Sequence, residues 1–166
     1  MKNLIKKINI VALIIVLTGV LASCGKEKEV AGKYKASEVM ETVLGGMNDL
    51  PEMITVKSGD DNAENVFTYL SEVDYDKVSD YEYQYAKEGS AEEIAVIRMK
   101  DESDMKRVKE GLEKRLADRK NHFELYNTEE VPKFDGATVV VKDNYAILII
   151  GSQAQNGKYE FDKLFK

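Results

Sequence analysis

The chain reads as an α+β protein: one domain, with helices packed on an antiparallel sheet of about four strands, in the order ααββαββα. Three observations predict this. Two pairs of strand-like segments are each joined by a short turn, which makes their pairing local and antiparallel. A long charged segment between the two pairs repeats its apolar residues at helical spacing. Shorter helical patterns flank the pairs at both ends.

Taken in order, Val39, Met40, Val43 and Leu44 share one face of a first helix, with Ser37 in the capping position and Gly45-Gly46 offering the left-handed residue that ends it. Pro51 resets the chain, and Ile54 to Val56 is a short apolar stretch of uncertain type. A loop at Ser58 to Asn62 leads into a short helix, Ala63 to Glu72, carrying Val66, Phe67 and Leu70. From Ser79 to Lys87, Tyr81, Tyr83 and Tyr85 alternate with Asp80, Glu82 and Gln84; after the turn Gly89-Ser90, Glu93 to Lys100 completes a hairpin. The longest helix, about Glu102 to Tyr126, places Met105, Val108, Leu112, Leu116, Phe123 and Tyr126 on one face. Gly111 interrupts it, and since glycine costs up to about 1 kcal/mol in a helix, it is either a mark of close approach to another element or a tolerated surface glycine. Two strands, Gly136 to Val141 and Tyr145 to Ile150, flank the tight turn Lys142-Asp143-Asn144, and a helix from Tyr159 to Phe165 closes the chain. Both of these strands are apolar on both faces, so each side of the sheet needs a cover. The long helix supplies one; the other falls to the N-terminal helices, a ligand or a second copy of the chain, so a homodimer is one way to complete the fold.

The N-terminus has the three parts of an export signal: Lys2, Lys6 and Lys7, an apolar run from Ile10 to Val20 broken at Thr18 and Gly19, then Leu21-Ala22-Ser23-Cys24. The run is short for a lasting membrane span, which needs about 20 apolar residues. The ending is similar to the lipobox of bacterial lipoproteins, which implies a diacylglyceryl group on Cys24 and cleavage before it. That use also accounts for a lone cysteine in an exported chain, where no internal disulfide can form. A diacyl group gives the stable attachment that one acyl chain does not. The expected organisation is thus a signal peptide at 1–23, a lipidated flexible tether at 24–35 and one domain at 36–166, on the extracellular side of the cell membrane. Removing 1–23 takes three lysines from 24 basic residues and no acid, leaving 21 against 30 acids, a charge of about −9. Such a charge argues against nucleic acid as a partner and against membrane adhesion by charge alone.

The strand Glu93-Ile94-Ala95-Val96-Ile97 followed by Lys100-Asp101, the helix containing Leu112-Glu113-Lys114-Arg115-Leu116 and ending near Phe123 and Tyr126, and the strand Asn144-Tyr145-Ala146-Ile147-Leu148 carry a resemblance. Together they are similar to the small bacterial lipoproteins of domain-of-unknown-function family 4358, from about Ser37 to the end. The resemblance implies a surface-anchored protein of a Gram-positive anaerobe, a place rather than a reaction, and sets Glu93 at the start of a strand facing the long helix.

Chemical motifs are few. His122 is the single histidine, so a histidine-rich zinc site is excluded, and a lipidated Cys24 leaves no Cys-His pair. Asp74, Asp76, Asp80 and Glu82 lack the glycine and terminal glutamate of a calcium loop, while Asp60, Asp61, Asn62 and Glu64 suit a capping loop better than a calcium site. No phosphate loop or nucleophile elbow is present, and no cofactor is expected. The residues singled out are Glu93 with Arg115 as its natural partner, either an ion pair orienting helix on sheet or a ligand-binding arginine, with Tyr126 able to join through its hydroxyl, and Tyr81, Tyr83 and Tyr85, either rings packed under helices with their hydroxyls at the edge or a same-face aromatic surface suited to recognition. The expected function is a membrane-anchored, non-catalytic module that binds a small ligand or an envelope protein. The alternatives are a cell-envelope hydrolase using paired carboxylates and an assembly factor for another envelope protein.

Overall fold

The computed structural model describes residues 33–166; the expected signal peptide, Cys24 and most of the tether lie outside the described residues. Helix α1 (Ala36–Leu44) leads to strand β1 (Met53–Lys57), short helix α2 (Ala63–Phe67), strands β2 (Val78–Ala86) and β3 (Glu93–Met99), and long helix α3 (Met105–Tyr126). Strands β4 (Thr138–Lys142) and β5 (Tyr145–Ile150) and helix α4 (Ala154–Leu164) follow. The strands form one antiparallel sheet in the order β1-β2-β3-β5-β4.

The α+β class is the one expected, with five strands where about four were. The addition is β1, built on Ile54 to Val56, which pairs with β2 from Met53 opposite Ala86 to Lys57 opposite Glu82. Both local hairpins form: Tyr85 faces Glu93 across β2–β3, and Lys142 faces Tyr145 across β4–β5, where Asp143 takes φ +50°. The hairpins are joined through β3 and β5, with Glu93 opposite Ile150 and Arg98 opposite Tyr145.

Alternation along the two central strands sends side chains into two cores. Ala95, Ile97, Ala146 and Leu148 meet Val108 and Leu112 of α3 on one face, whereas Ile94, Val96, Ile147 and Ile149 meet Val39, Val43 and Phe161 of α1 and α4 on the other. The chain's own helices therefore cover both faces of the doubly apolar β5, and no second copy is needed to complete it.

Several local readings change. The N-cap of α1 is Lys35, not Ser37, and the first free N–H groups are satisfied by carboxylates: Lys35 N–H donates to Glu38 (2.6 Å) and Ala36 N–H to Asp80 of β2 (2.9 Å). Gly45 keeps right-handed helical angles (φ −60°), so it is not the left-handed terminator expected. Gly46 serves proximity instead, because a Cβ there would come within 2.8 Å of the Asn156 carbonyl oxygen on α4. Tyr34, assigned to the tether, belongs to the domain: its N–H donates to the Tyr145 hydroxyl (2.9 Å), which donates to the Tyr34 carbonyl (2.6 Å). The helix expected at Ala63 to Glu72 stops at Phe67 and continues as turns. The closing helix starts earlier than expected, at Ala154.

Gly111 does mark a close approach, since a Cβ would lie 2.8 Å from the Leu70 carbonyl oxygen and 2.9 Å from Ser71 Cα. Of the apolar stripe on α3, Met105, Val108, Leu112 and Phe123 are buried, Leu116 is half-buried, and Tyr126 is 76 % exposed, so the last turn carries its aromatic ring off the core. Leu112→Ala should accordingly cost about 2 to 5 kcal/mol, and Leu116→Ala clearly less, which urea titration of the two variants measures. Equal losses would place the helix on a different face.

Candidate functional site

The inner stripe of α3 runs Val108, Leu112, Arg115, Arg119, Phe123, with two arginines one turn apart where apolar residues would continue the core. Opposite them β3 begins with Glu93, which has 0 % exposure and would be untenable without partners. Arg115 answers it with a two-pronged contact: Nε donates to Oε1 (2.7 Å) and Nη2 to Oε2 (3.0 Å). Nη2 also donates to the Tyr83 hydroxyl (3.0 Å). Burial works against the charge on Arg115, but its bonds to Glu93 and the nearby carboxylate outweigh that and hold its pKa above the ordinary value. The Tyr83 hydroxyl is likewise held above the ordinary tyrosine range, first by burial and then by the negative Glu93, with Arg115 opposing.

Arg119 is engaged differently. Its Nε lies 2.9 Å from Glu93 Oε2, yet the N–H does not line up with that oxygen, and Nε is a buried donor without a hydrogen bond among the described residues. The contact is one of charge. The guanidinium stacks over Phe123, 4.7 Å from the ring centre.

These groups form the floor of an open cleft of about 650 Å³ between β2 and α3. Tyr83 and Tyr85, stacked at 5.1 Å between ring centres, line it from the sheet; His122 and Tyr126, 4.9 Å apart, line it from the helix. Ser90 and Asn127 stand at one end. A smaller hollow of about 380 Å³ lies on the far side of Arg115, against the Gly111 contact, and is rimmed by exposed charges such as Lys114.

Of the residues singled out from sequence, Tyr83, Tyr85, Glu93, Arg115 and Tyr126 all line this cleft. The three tyrosines do not form one open surface. The three rings do share a face, but Tyr81 and Tyr83 are buried, and Tyr81 lies outside the cleft among Phe67 and Tyr75, its hydroxyl donating to the Ala63 carbonyl (2.6 Å). Tyr126 does not join the Glu93–Arg115 pair; it stands on the exposed rim. Arg119 went unnoticed in the sequence, although its spacing of four from Arg115 on the inner stripe carried the signal.

A second polar cluster adjoins the cleft. Lys133 donates to Ser90 Oγ (2.8 Å) and Glu130 (2.7 Å) and lies 2.8 Å from Glu92, while the Ser90 hydroxyl has both Glu92 and Glu130 in reach. A serine beside a lysine could be a nucleophile and base. Here burial would lower the lysine's pKa, but hydrogen bonds to Glu130 and Glu92 and their charges raise it above the ordinary value, so the ammonium has no vacant site for a proton. Burial would raise Glu130, and its bonds to Lys133, Ala91 N–H and Ser90 lower it instead, which is the wrong direction for a general acid. The cluster ties the β2–β3 hairpin to the 3-10 helix Thr128–Phe134. Asp60 is likewise engaged in its own turn, accepting from Lys57 N–H (2.9 Å). No group of three or more His, Cys, Asp or Glu side chains among the described residues could hold a metal ion.

The family model described as a domain of unknown function (DUF4358) matches residues 49–151, well over half of the chain. The chain belongs to this family. No curated protein and no solved structure matches it. The DUF4358 span runs from just before β1 to the end of β5 and includes every residue lining the cleft, whereas α1 and α4, which cover the other face, fall outside it.

Proposed function

We propose that this protein is a lipoprotein, cleaved before Cys24 and held at the extracytoplasmic face of the cell membrane by a diacylglyceryl group, and that its domain is a non-catalytic binding module whose ligand site is the cleft between β2 and α3. One observation carries the binding reading: a fully buried glutamate positions two arginines at the floor of a cleft with aromatic rings on both sides. A small number of fixed polar groups among apolar walls is the usual composition of a ligand site. In the neighbouring cluster, hydrogen bonds hold the Lys133 pKa above and the Glu130 pKa below the ordinary value, directions unsuited to a general base and a general acid, which favours binding over turnover. The anchoring reading rests on Leu21-Ala22-Ser23-Cys24 after a basic and apolar leader. No described helix is long and apolar enough to cross a membrane.

Mass spectrometry of the protein taken from its own membranes should find an N-terminal, diacylated Cys24, and Cys24→Ala should move the protein out of the membrane fraction without lowering its melting temperature. An unmodified chain beginning elsewhere would end the lipoprotein reading. The binding reading is tested separately by the ligand titration described next.

A further inference from the structure

The two arginines of the cleft have different duties. Arg115 places Nε and Nη2 on Glu93 and Tyr83, so its fork is filled by the protein itself. Arg119 balances no further carboxylate: Glu93 is already paired, and among the described residues the Nη nitrogens of Arg119 have no acceptor. The Phe123 ring below its central carbon and the charge contact with Glu93 hold its guanidinium in place. Stacking occupies a guanidinium's face and leaves its edge of N–H donors open, the part that grips a carboxylate or phosphate in two-pronged fashion. Among the lining side chains stand two arginines against one glutamate, an excess of one basic group. The excess stands out because the described residues contain 19 basic and 28 acidic side chains, a balance of −9. An outwardly acidic domain has thus kept, in a cleft, a cationic group whose Nη donors make no hydrogen bond among the described residues.

We infer that the ligand of this cleft is a small organic anion, with a carboxylate or phosphate monoester held by Arg119 and a flat body seated between the Tyr83–Tyr85 stack and the His122–Tyr126 side. This rests on the binding-module reading and adds the chemical class to it. Tyr85 and Tyr126 supply faces for a ring or a sugar, and Ser90 and Asn127 stand where they can meet its polar substituents. Arg119 is the ligand-binding residue; Glu93 and Arg115 position it.

The test is an NMR titration of the mature chain, residues 24–166, with phenyl phosphate and benzoate as anionic probes and benzyl alcohol as the neutral counterpart. The expected result is saturable shifts of the Gly89, Ser90 and Asn127 amides with the anions and much weaker ones with the alcohol. Arg119→Gln should weaken the anions about tenfold or more, the scale of a charge-assisted hydrogen bond, and Arg119→Lys should restore part of the loss. If benzyl alcohol binds the cleft as well as the anions do, the anion inference is overturned and the cleft-binding reading survives. If no probe perturbs the cleft, or the anions shift amides elsewhere only, both fall. The comparison of anion with alcohol on the unsubstituted protein decides the matter even where Arg119→Gln does not fold.

Discussion

Glu93→Ala is expected to lower the stability of the domain by about 3 to 5 kcal/mol, because it removes the counter-charge from two guanidinium groups held under the sheet. The size follows from what remains, not from the worth of the pair when intact. Desolvating both partners offsets much of their attraction, but an arginine left without its carboxylate keeps the desolvation and loses the compensation. Each arginine side chain is 23 % exposed and can swing part of the way into water, which sets the loss near the lower end of that range. Glu93→Gln keeps the shape and one acceptor oxygen but sets a donor in place of the other and loses the charge, so it should lie between the wild type and Glu93→Ala. The double variant E93L/R115L should regain part of the loss, since it replaces the filled fork by apolar contacts. Urea unfolding of the four proteins measures these differences. A loss under about 1 kcal/mol for Glu93→Ala would mean that the glutamate is not the organising charge of the cleft.

Tyr81→Ala should cost a comparable amount, about 3 to 5 kcal/mol, the range for emptying a large aromatic site in a packed core. The ring is 1 % exposed, packs edge-on to Phe67 and Tyr75 with centres 5.4 and 6.1 Å away, and closes its hydroxyl on the Ala63 carbonyl. Tyr81→Phe keeps the ring and strands that carbonyl, so about 1 kcal/mol is expected. Tyr126→Ala, at the other extreme of exposure, should change stability by less than about 0.5 kcal/mol. Melting curves of these variants separate a core tyrosine from a rim tyrosine before any ligand is known.

The contrast among the tyrosines shows what could be read in the chain and what could not. Alternation with a period of two assigns Tyr81, Tyr83 and Tyr85 to one face, and they do share it. Periodicity says nothing about what lies over that face at each step. The segment from Ala63 to Tyr75 covers Tyr81, Arg115 caps Tyr83, and the cleft leaves Tyr85 half-open. Hairpin turns announce themselves locally, so β2–β3 and β4–β5 were legible. Strand β1 was not, because five residues with one buried valine owe their extended form to a partner about thirty positions away. The pair Glu93 and Arg115 could be guessed from opposite charges on facing elements. Arg119 was hidden by its ordinariness, a charged residue in a charged helix, and only the phase of the apolar stripe sets it inward.

The pinning of Tyr34 to Tyr145 fixes a direction. The chain enters the domain beside Tyr145, Arg98 and Asp80, which face one another at one end of the sheet. Glu93, Tyr85 and Ile150 mark the other end, five residues along β3, or about 17 Å. The point where the chain enters the domain and the Glu93 end of the cleft therefore lie at opposite ends of β3. Under the proposed attachment at Cys24, the Glu93 end of the cleft is the end of the domain away from the chain's point of entry.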